Sequence, residues 1–268
     1  MAKFSLWMAI HVIGPILGVL VCLLEAFGII RFRNFYRYPI WEEKILFISN
    51  HPSFVEPVIL PLMGFPWMNF PWIFYPWRKR IRFSLKWLTE FREEFFLAKK
   101  LVPISVPSKT DYYDKIYMEI FHELSIPVKR DGKPSEKMAT VRALAKVLNE
   151  GGRVILFPEG GRTFKAAEKI TSLKGKEIGV LKEGAALLAL LTSARVVPVW
   201  VEGSDKFLPN KGRLRFLRFW NLRHRITINI GYPFVLNRSD FPRSLKNARR
   251  KASQIITQAL LETGDEIG

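Results

Sequence analysis

Residues 125–163, SIPVKRDGKPSEKMATVRALAKVLNEGGRVILFPEGGRT, constrain the fold most. They read as strand, loop, helix, turn, strand, loop. Ser135 is placed to cap the helix, and Gly151 with Gly152 to end it. A helix between two short apolar strands is a crossover, and crossovers join parallel strands. The alternation continues on both sides. EKILFIS (43–49) reads as a short buried strand, 174–192 as a helical pattern and RVVPVWVEGS (195–204) as a second buried strand. RITINIGYPF (225–234) alternates as a strand does, and 242–262 reads as an amphipathic helix carrying Arg243, Lys246, Arg249, Arg250 and Lys251. The expected fold is α/β, a largely parallel mixed sheet flanked by helices.

Ahead of this pattern lies FSLWMAIHVIGPILGVLVCLLEAFGII (4–30), long enough for a spanning helix, which takes about 20 apolar residues. His11, Glu25, the Gly14–Pro15 pair and Gly28 interrupt it. A single span and a hairpin dipping into one leaflet both fit. No small-x-small cleavage site follows, so the segment is expected to be retained as a membrane-associated helical element. Arg31, Arg33, Arg37 and Arg80 follow the run and only Lys3 precedes it, which places the rest of the chain on the cytoplasmic side. The division is 1–40 for attachment and 41–268 for one domain. Within the latter, Pro61, Pro66, Pro71 and Pro76 exclude a long helix. Trp67, Trp72 and Trp77 with Arg78, Lys79, Arg80 and Arg82 suit a membrane interface. Residues 83–101, with Phe83, Trp87, Phe91 and Phe95 spaced by fours, read as an amphipathic helix.

The net charge of +18 and pI near 10.1 favour an anionic partner: nucleic acid, a membrane surface or phosphorylated substrates. The apolar N-terminus and the lack of a nucleic-acid module favour anionic lipid over nucleic acid. The basic, aromatic stretch 206–225 reads either as part of that surface or as a solvated face. Cys22 is the only cysteine, which rules out a disulfide framework or thiolate cluster. His11, His51, His122 and His224 show no ligand spacing, so no metal is expected.

Four short elements carry candidate chemistry. In NHPSFVE, His51 follows a strand and Glu56 lies five residues on. Ser53 to Glu56 has the S-x-x-E spacing of a capping box. On a helix, positions five apart are about 140° apart, so His51 and Glu56 meet only if His51 precedes the helix. A helix cap and a base with its orienting acid both fit these residues. In FPEGGRT, Gly160 and Gly161 let backbone amides approach an anion, and Arg162 offers a planar fork for phosphate. A turn with a Glu159–Arg162 ion pair fits as well. IPVKRDG places Lys129 and Arg130 after a short strand, as a second phosphate ligand or a basic loop. Pro198 interrupts VVPVWV, which marks an edge, a bulge or a site.

Taken in order, NHPSFVE, IPVKRDG, FPEGGRT and VVPVWVEGS resemble motifs one to four of the glycerolipid acyltransferases of the lysophosphatidic acid type. The resemblance covers residues 45–204. It implies an H-x4-E catalytic pair in which His51 activates the acceptor hydroxyl and Glu56, where the family usually has aspartate, orients it. It implies substrate contacts from Ser53, Arg130, Glu159, Gly160, Gly161, Arg162 and Thr163, and an acyl-donor region at Pro198. No bound cofactor is implied; acyl-CoA or acyl-ACP is the co-substrate and a lysophospholipid, foremost 1-acylglycerol-3-phosphate, the acceptor, giving phosphatidic acid at the cytoplasmic face of the inner membrane. Gly161 and Thr163 replace the usual threonine and serine, and Pro52 a residue that is often basic or polar, which leaves the acceptor lipid open. A different lysolipid acceptor, or a non-catalytic lipid- or nucleic-acid-binding protein, is the alternative.

Overall fold

The computed structural model describes residues 14–39, 42–53, 56–62, 103–109, 125–129, 131–207 and 224–267. The proline-rich stretch 65–83, the helix expected over 83–101, Arg130 and most of the basic stretch 206–225 lie outside these residues.

The first helix, α1, runs Gly14–Ala26 and takes Pro15 in its first turn, where no N–H is needed. It stops at Gly28, whose φ of 68° lies in the left-handed region that favours glycine. There the Gly28 N–H donates to Glu25 O and the Ile29 N–H to Leu24 O, both at 2.8 Å, which satisfies the last carbonyls. The chain passes directly into β1 (Ile30–Arg33), so the sheet takes an edge strand from within residues 1–40. Then come β2 (Ile45–Ser49), α2 (Glu56–Leu62), α3 (Pro134–Asn149), β3 (Arg153–Leu156), the hairpin β4 (Lys169–Thr171) and β5 (Glu177–Gly179), α4 (Gly184–Thr192), β6 (Arg195–Glu202), α5 (Ser204–Phe207), β7 (Ile226–Ile230), β8 (Phe234–Val235) and α6 (Leu245–Asp265).

The main sheet runs β1-β7-β6-β2-β3, with β8 beside the start of β6. Strands β3, β2 and β6 are mutually parallel neighbours. Strand β7 is antiparallel to β6, and β1 is parallel to β7. The α/β expectation of a largely parallel mixed sheet therefore holds. Alternate residues face opposite sides. Ile45, Phe47, Val197, Val199, Val201, Ile226 and Ile228 pack with Val21 of α1 and Ile59 and Leu60 of α2. Leu46, Ile48, Val154, Val196 and Trp200 pack with α3, α4 and α6 on the other side.

Three local expectations change. Residues 174–192 do not form one helix: Gly175, with φ of 80°, closes the β4–β5 hairpin, and the helix starts only at Gly184. Ser135 does not cap α3. Pro134 is its first residue, and the Glu136 carboxylate accepts the Lys133 N–H at 2.7 Å instead. Pro198 sits in the middle of the sheet, not at an edge. Its carbonyl accepts the Gly231 N–H at 2.9 Å, opposite the break between β7 and β8. The N–H it lacks would point to that same gap, so the ladder to β2 keeps its bonds.

At the start of β3, the buried Arg153 guanidinium donates to Pro39 O (3.1 Å), Glu42 O (2.9 Å) and the Tyr38 hydroxyl (3.4 Å). Carbonyls satisfy a charge that burial would otherwise penalise. Burial beside it pushes the Tyr38 phenol up to about 12. This lock closes the end of the sheet opposite the candidate site.

Candidate active site

Because β3, β2 and β6 are parallel and adjacent, the three segments that follow them emerge along one edge. Ligand sites of open α/β sheets lie outside such carboxyl ends. His51 follows β2, Glu159 to Thr163 follow β3, and Ser204 follows β6.

The loop after β2 is fixed to β6 first. Buried Asn50 donates to Val201 O at 2.8 Å and accepts the Val201 N–H at 2.7 Å, so one amide side chain stands in for a strand residue. The next residue, His51, leaves the sheet ahead of α2, and Pro52 and Ser53 turn the chain. His51 Nδ1 then lies 3.0 Å from Glu56 Oε2, the first residue of α2. The Glu56 side chain is fully buried and the His51 ring is 14% exposed. The imidazole is tilted against the Phe157 ring at 4.7 Å.

Cap and pair are the same group. Glu56 Oε2 accepts the Ser53 N–H at 3.0 Å, as a capping box requires, while also facing His51. The Ser53 hydroxyl donates to Glu56 Oε1 at 3.1 Å, and the Ser204 hydroxyl donates to the same oxygen. Both oxygens of this buried carboxylate therefore have donors. In the tautomer that donates Nδ1–H to Glu56, Nε2 is left as the ring's acceptor.

The glycine turn after β3 locks against this loop. Glu159 Oε1 accepts the His51 N–H and the Thr163 hydroxyl, and Oε2 accepts the Gly179 N–H, each at 2.8 Å. The Thr163 N–H returns to His51 O at 2.9 Å. Burial pushes the Glu159 carboxyl above its ordinary range, against the pull of these donors. Glu159 and Thr163 therefore clasp the histidine loop with their side chains, where the family resemblance had implied substrate contacts. Ser53 likewise turns its hydroxyl to Glu56.

Gly160 has φ of 68°, and a Cβ there would lie 2.6 Å from Lys182 Cε and Nζ. The Lys182 side chain thus lies across the turn, a cation that the sequence reading missed. Among the described residues, nothing lies within 4 Å of where a Cβ on Gly161 would stand. The Arg162 guanidinium lies 5.0 Å from the Phe164 ring. Pro198 is buried in the sheet with its ring beside Gly231.

Residues 93–202 match the acyltransferase family model. The chain carries an acyltransferase domain. It is an enzyme that transfers acyl groups. The matched segment takes in the second and third motifs and most of the fourth; His51 and Glu56 lie upstream of it and stand on their own geometry. Among solved structures, the chain is similar to the 1-acyl-sn-glycerophosphate (LPA) acyltransferase PlsC from Thermotoga maritima, at 17% identity over 88% of this chain and 72% of that one, with a TM-score of 0.46. The assignment rests on the family match. Asn50, Lys182 and Ser204 are site residues that sequence reasoning passed over; Asn50 and Ser204 lay inside quoted motifs, and Lys182 did not.

Proposed function

We propose that the acyltransferase domain moves a fatty acyl group from a thioester donor, acyl-CoA or acyl-ACP, to the free hydroxyl of a lysophospholipid, foremost 1-acylglycerol-3-phosphate. The observation that carries this reading is the His51–Glu56 contact beside an open glycine turn bearing Arg162. His51 Nε2 takes the hydroxyl proton as the alcohol oxygen attacks the thioester carbonyl. The tetrahedral intermediate collapses, the C–S bond breaks, and the departing thiolate takes the proton from the imidazolium. Backbone amides at Gly160 and Gly161 are the candidate donors to the oxyanion. Arg162 and Lys182 supply positive charge for an acceptor phosphate. Arg130 belongs to this proposal through its motif alone.

The same reading puts the enzyme at a membrane, on the cytoplasmic face. Among the described residues no helix is long and apolar enough to cross a bilayer. Helix α1 supports membrane contact, since Ile16, Val19, Leu20 and Leu23 remain exposed on it and Phe27, just beyond it, is 77% exposed. The net charge of +18 suits anionic headgroups. An acyl-transfer assay on the purified full chain, pairing both carriers with a panel of lysophospholipids, tests the reaction. Transfer to a phosphorylated acceptor that disappears in His51→Ala supports it, and unchanged turnover in that variant rejects His51 as the base.

A further inference from the structure

The carboxylate behind His51 is reached from a third strand. Strand β6 runs parallel to β2, and the Asn50 clasp holds their ends side by side. Beyond β6 the chain turns at Gly203, with φ of 82°. A Cβ there would stand 2.1 Å from Arg225 O, so both the backbone angle and the space exclude other residues. That turn delivers Ser204, fully buried, to Glu56 Oε1. Each oxygen of Glu56 then receives two donors: His51 Nδ1–H and Ser53 N–H on Oε2, the Ser53 and Ser204 hydroxyls on Oε1.

We infer that Ser204 is a positioning residue for catalysis, acting through Glu56 on the tautomer and orientation of His51. The inference rests on the reading of His51 as base. Ser204 does not touch the imidazole. Among the described residues it supplies the one donor to Glu56 from outside the His51–Glu56 loop. The other donors move with that loop, so Ser204 ties the carboxylate itself to the end of β6. A glutamate in place of a shorter aspartate gives the reach to bridge β2 and β6 at once. Without the Ser204 hydroxyl the buried carboxylate has one donor fewer on Oε1. It is then freer to turn away from Nδ1, and the hold on the imidazole, on which the pH profile depends, loosens.

The test compares kcat/KM against pH for the wild type, Ser204→Ala, Ser204→Thr, Glu56→Gln and the double variant, with His51→Ala as control. Ser204→Ala is expected to lose about tenfold in kcat/KM at neutral pH and to move the acid limb by about one pH unit. The loss falls in kcat, with both substrate KM values little changed. Ser204→Thr restores most of it, and Ser204→Ala adds no further loss on the Glu56→Gln background. An unmoved acid limb, or the same loss on both backgrounds, overturns the inference and leaves Ser204 a packing residue. Should the alanine variant fail to fold, Ser204→Cys keeps the bulk and weakens the donor; a wild-type acid limb there overturns the inference equally. Residual turnover in His51→Ala fells the base assignment and this inference together, whereas an inactive His51→Ala beside an unmoved Ser204→Ala limb fells the inference alone.

Discussion

Glu56 meets His51 at 3.0 Å through the same oxygen that caps helix α2 at Ser53. One carboxylate oxygen therefore meets both the Ser53 N–H and the imidazole. Glu56→Gln keeps an acceptor but offers an NH2 where a second acceptor is needed. The expected result is a fall in kcat of about 10²–10⁴-fold with helix content retained, read from steady-state kinetics and circular dichroism. A near-normal rate would make Glu56 a cap and nothing more.

The two glycines of the turn should answer differently to substitution. Gly160→Ala puts a Cβ against Lys182 at a left-handed backbone angle, a cost of about 1–2 kcal/mol. Gly161→Thr meets open space and should leave the melting temperature within a degree or two of the wild type, about the effect of a neutral surface change. Thermal melts of both variants check this, and acceptor panels on Gly161→Thr show whether the added hydroxyl alters acceptor choice.

Asn50 replaces two ladder bonds with one side chain. Asn50→Ala leaves the Val201 N–H and C=O buried without that partner and should cost roughly 2 kcal/mol, seen as a lower urea midpoint. Activity is expected to fall further than stability, since the loop carrying His51 loses its tie to β6. Equal stability of variant and wild type would remove the clasp from the account.

Glu159 gives stability a pH dependence of definite sign. Burial raises its carboxyl above the ordinary 4.5, so the folded chain holds that proton more tightly than the unfolded chain. Between 4.5 and the raised value, its contribution to stability falls as pH rises. Glu159→Gln removes the titration and should flatten that part of the profile. It also leaves one of the His51, Thr163 and Gly179 donors poorly matched, so the variant should be less stable at neutral pH by about 1–3 kcal/mol. Melting temperatures of both proteins across mildly acidic pH decide it; parallel curves would refute the assignment.

Arg162→Ala is expected to raise KM for a phosphorylated acceptor about tenfold while leaving the donor KM within a factor of two or three. Lys182→Met should act in the same direction and more weakly. Initial-rate kinetics with varied acceptor and donor separate the two, and an effect confined to the donor would move both cations to the other substrate.

Much of this was legible in the chain because it is local. The strand 43–49, Pro52 and the S-x-x-E spacing together force His51 out ahead of the helix, and the pair follows. Cap and pair were competing readings of Glu56 in the sequence; a carboxylate has enough lone-pair directions to be both. What was not legible depends on which strands are neighbours. Asn50 and Ser204 matter because β6 lies beside β2, and nothing near either residue announces that. The partners that hold Glu159, His51 and Gly179, are distant in sequence and could not be read from its motif. The hairpin at 169–179 was hidden by apolar spacing that runs on into α4, although Gly175 marked its turn.

Ser49–Glu56, Phe157–Thr163 and Val201–Ser204 belong to three separate crossings of the chain, and none of them makes the site alone. On the proposed reading, catalysis begins only once all three crossings lie side by side. Heat or denaturant should therefore extinguish turnover and the sheet in a single step. A fragment ending ahead of Ser204 would hold the histidine and both glycines yet have no sheet-anchored acid to steer the ring.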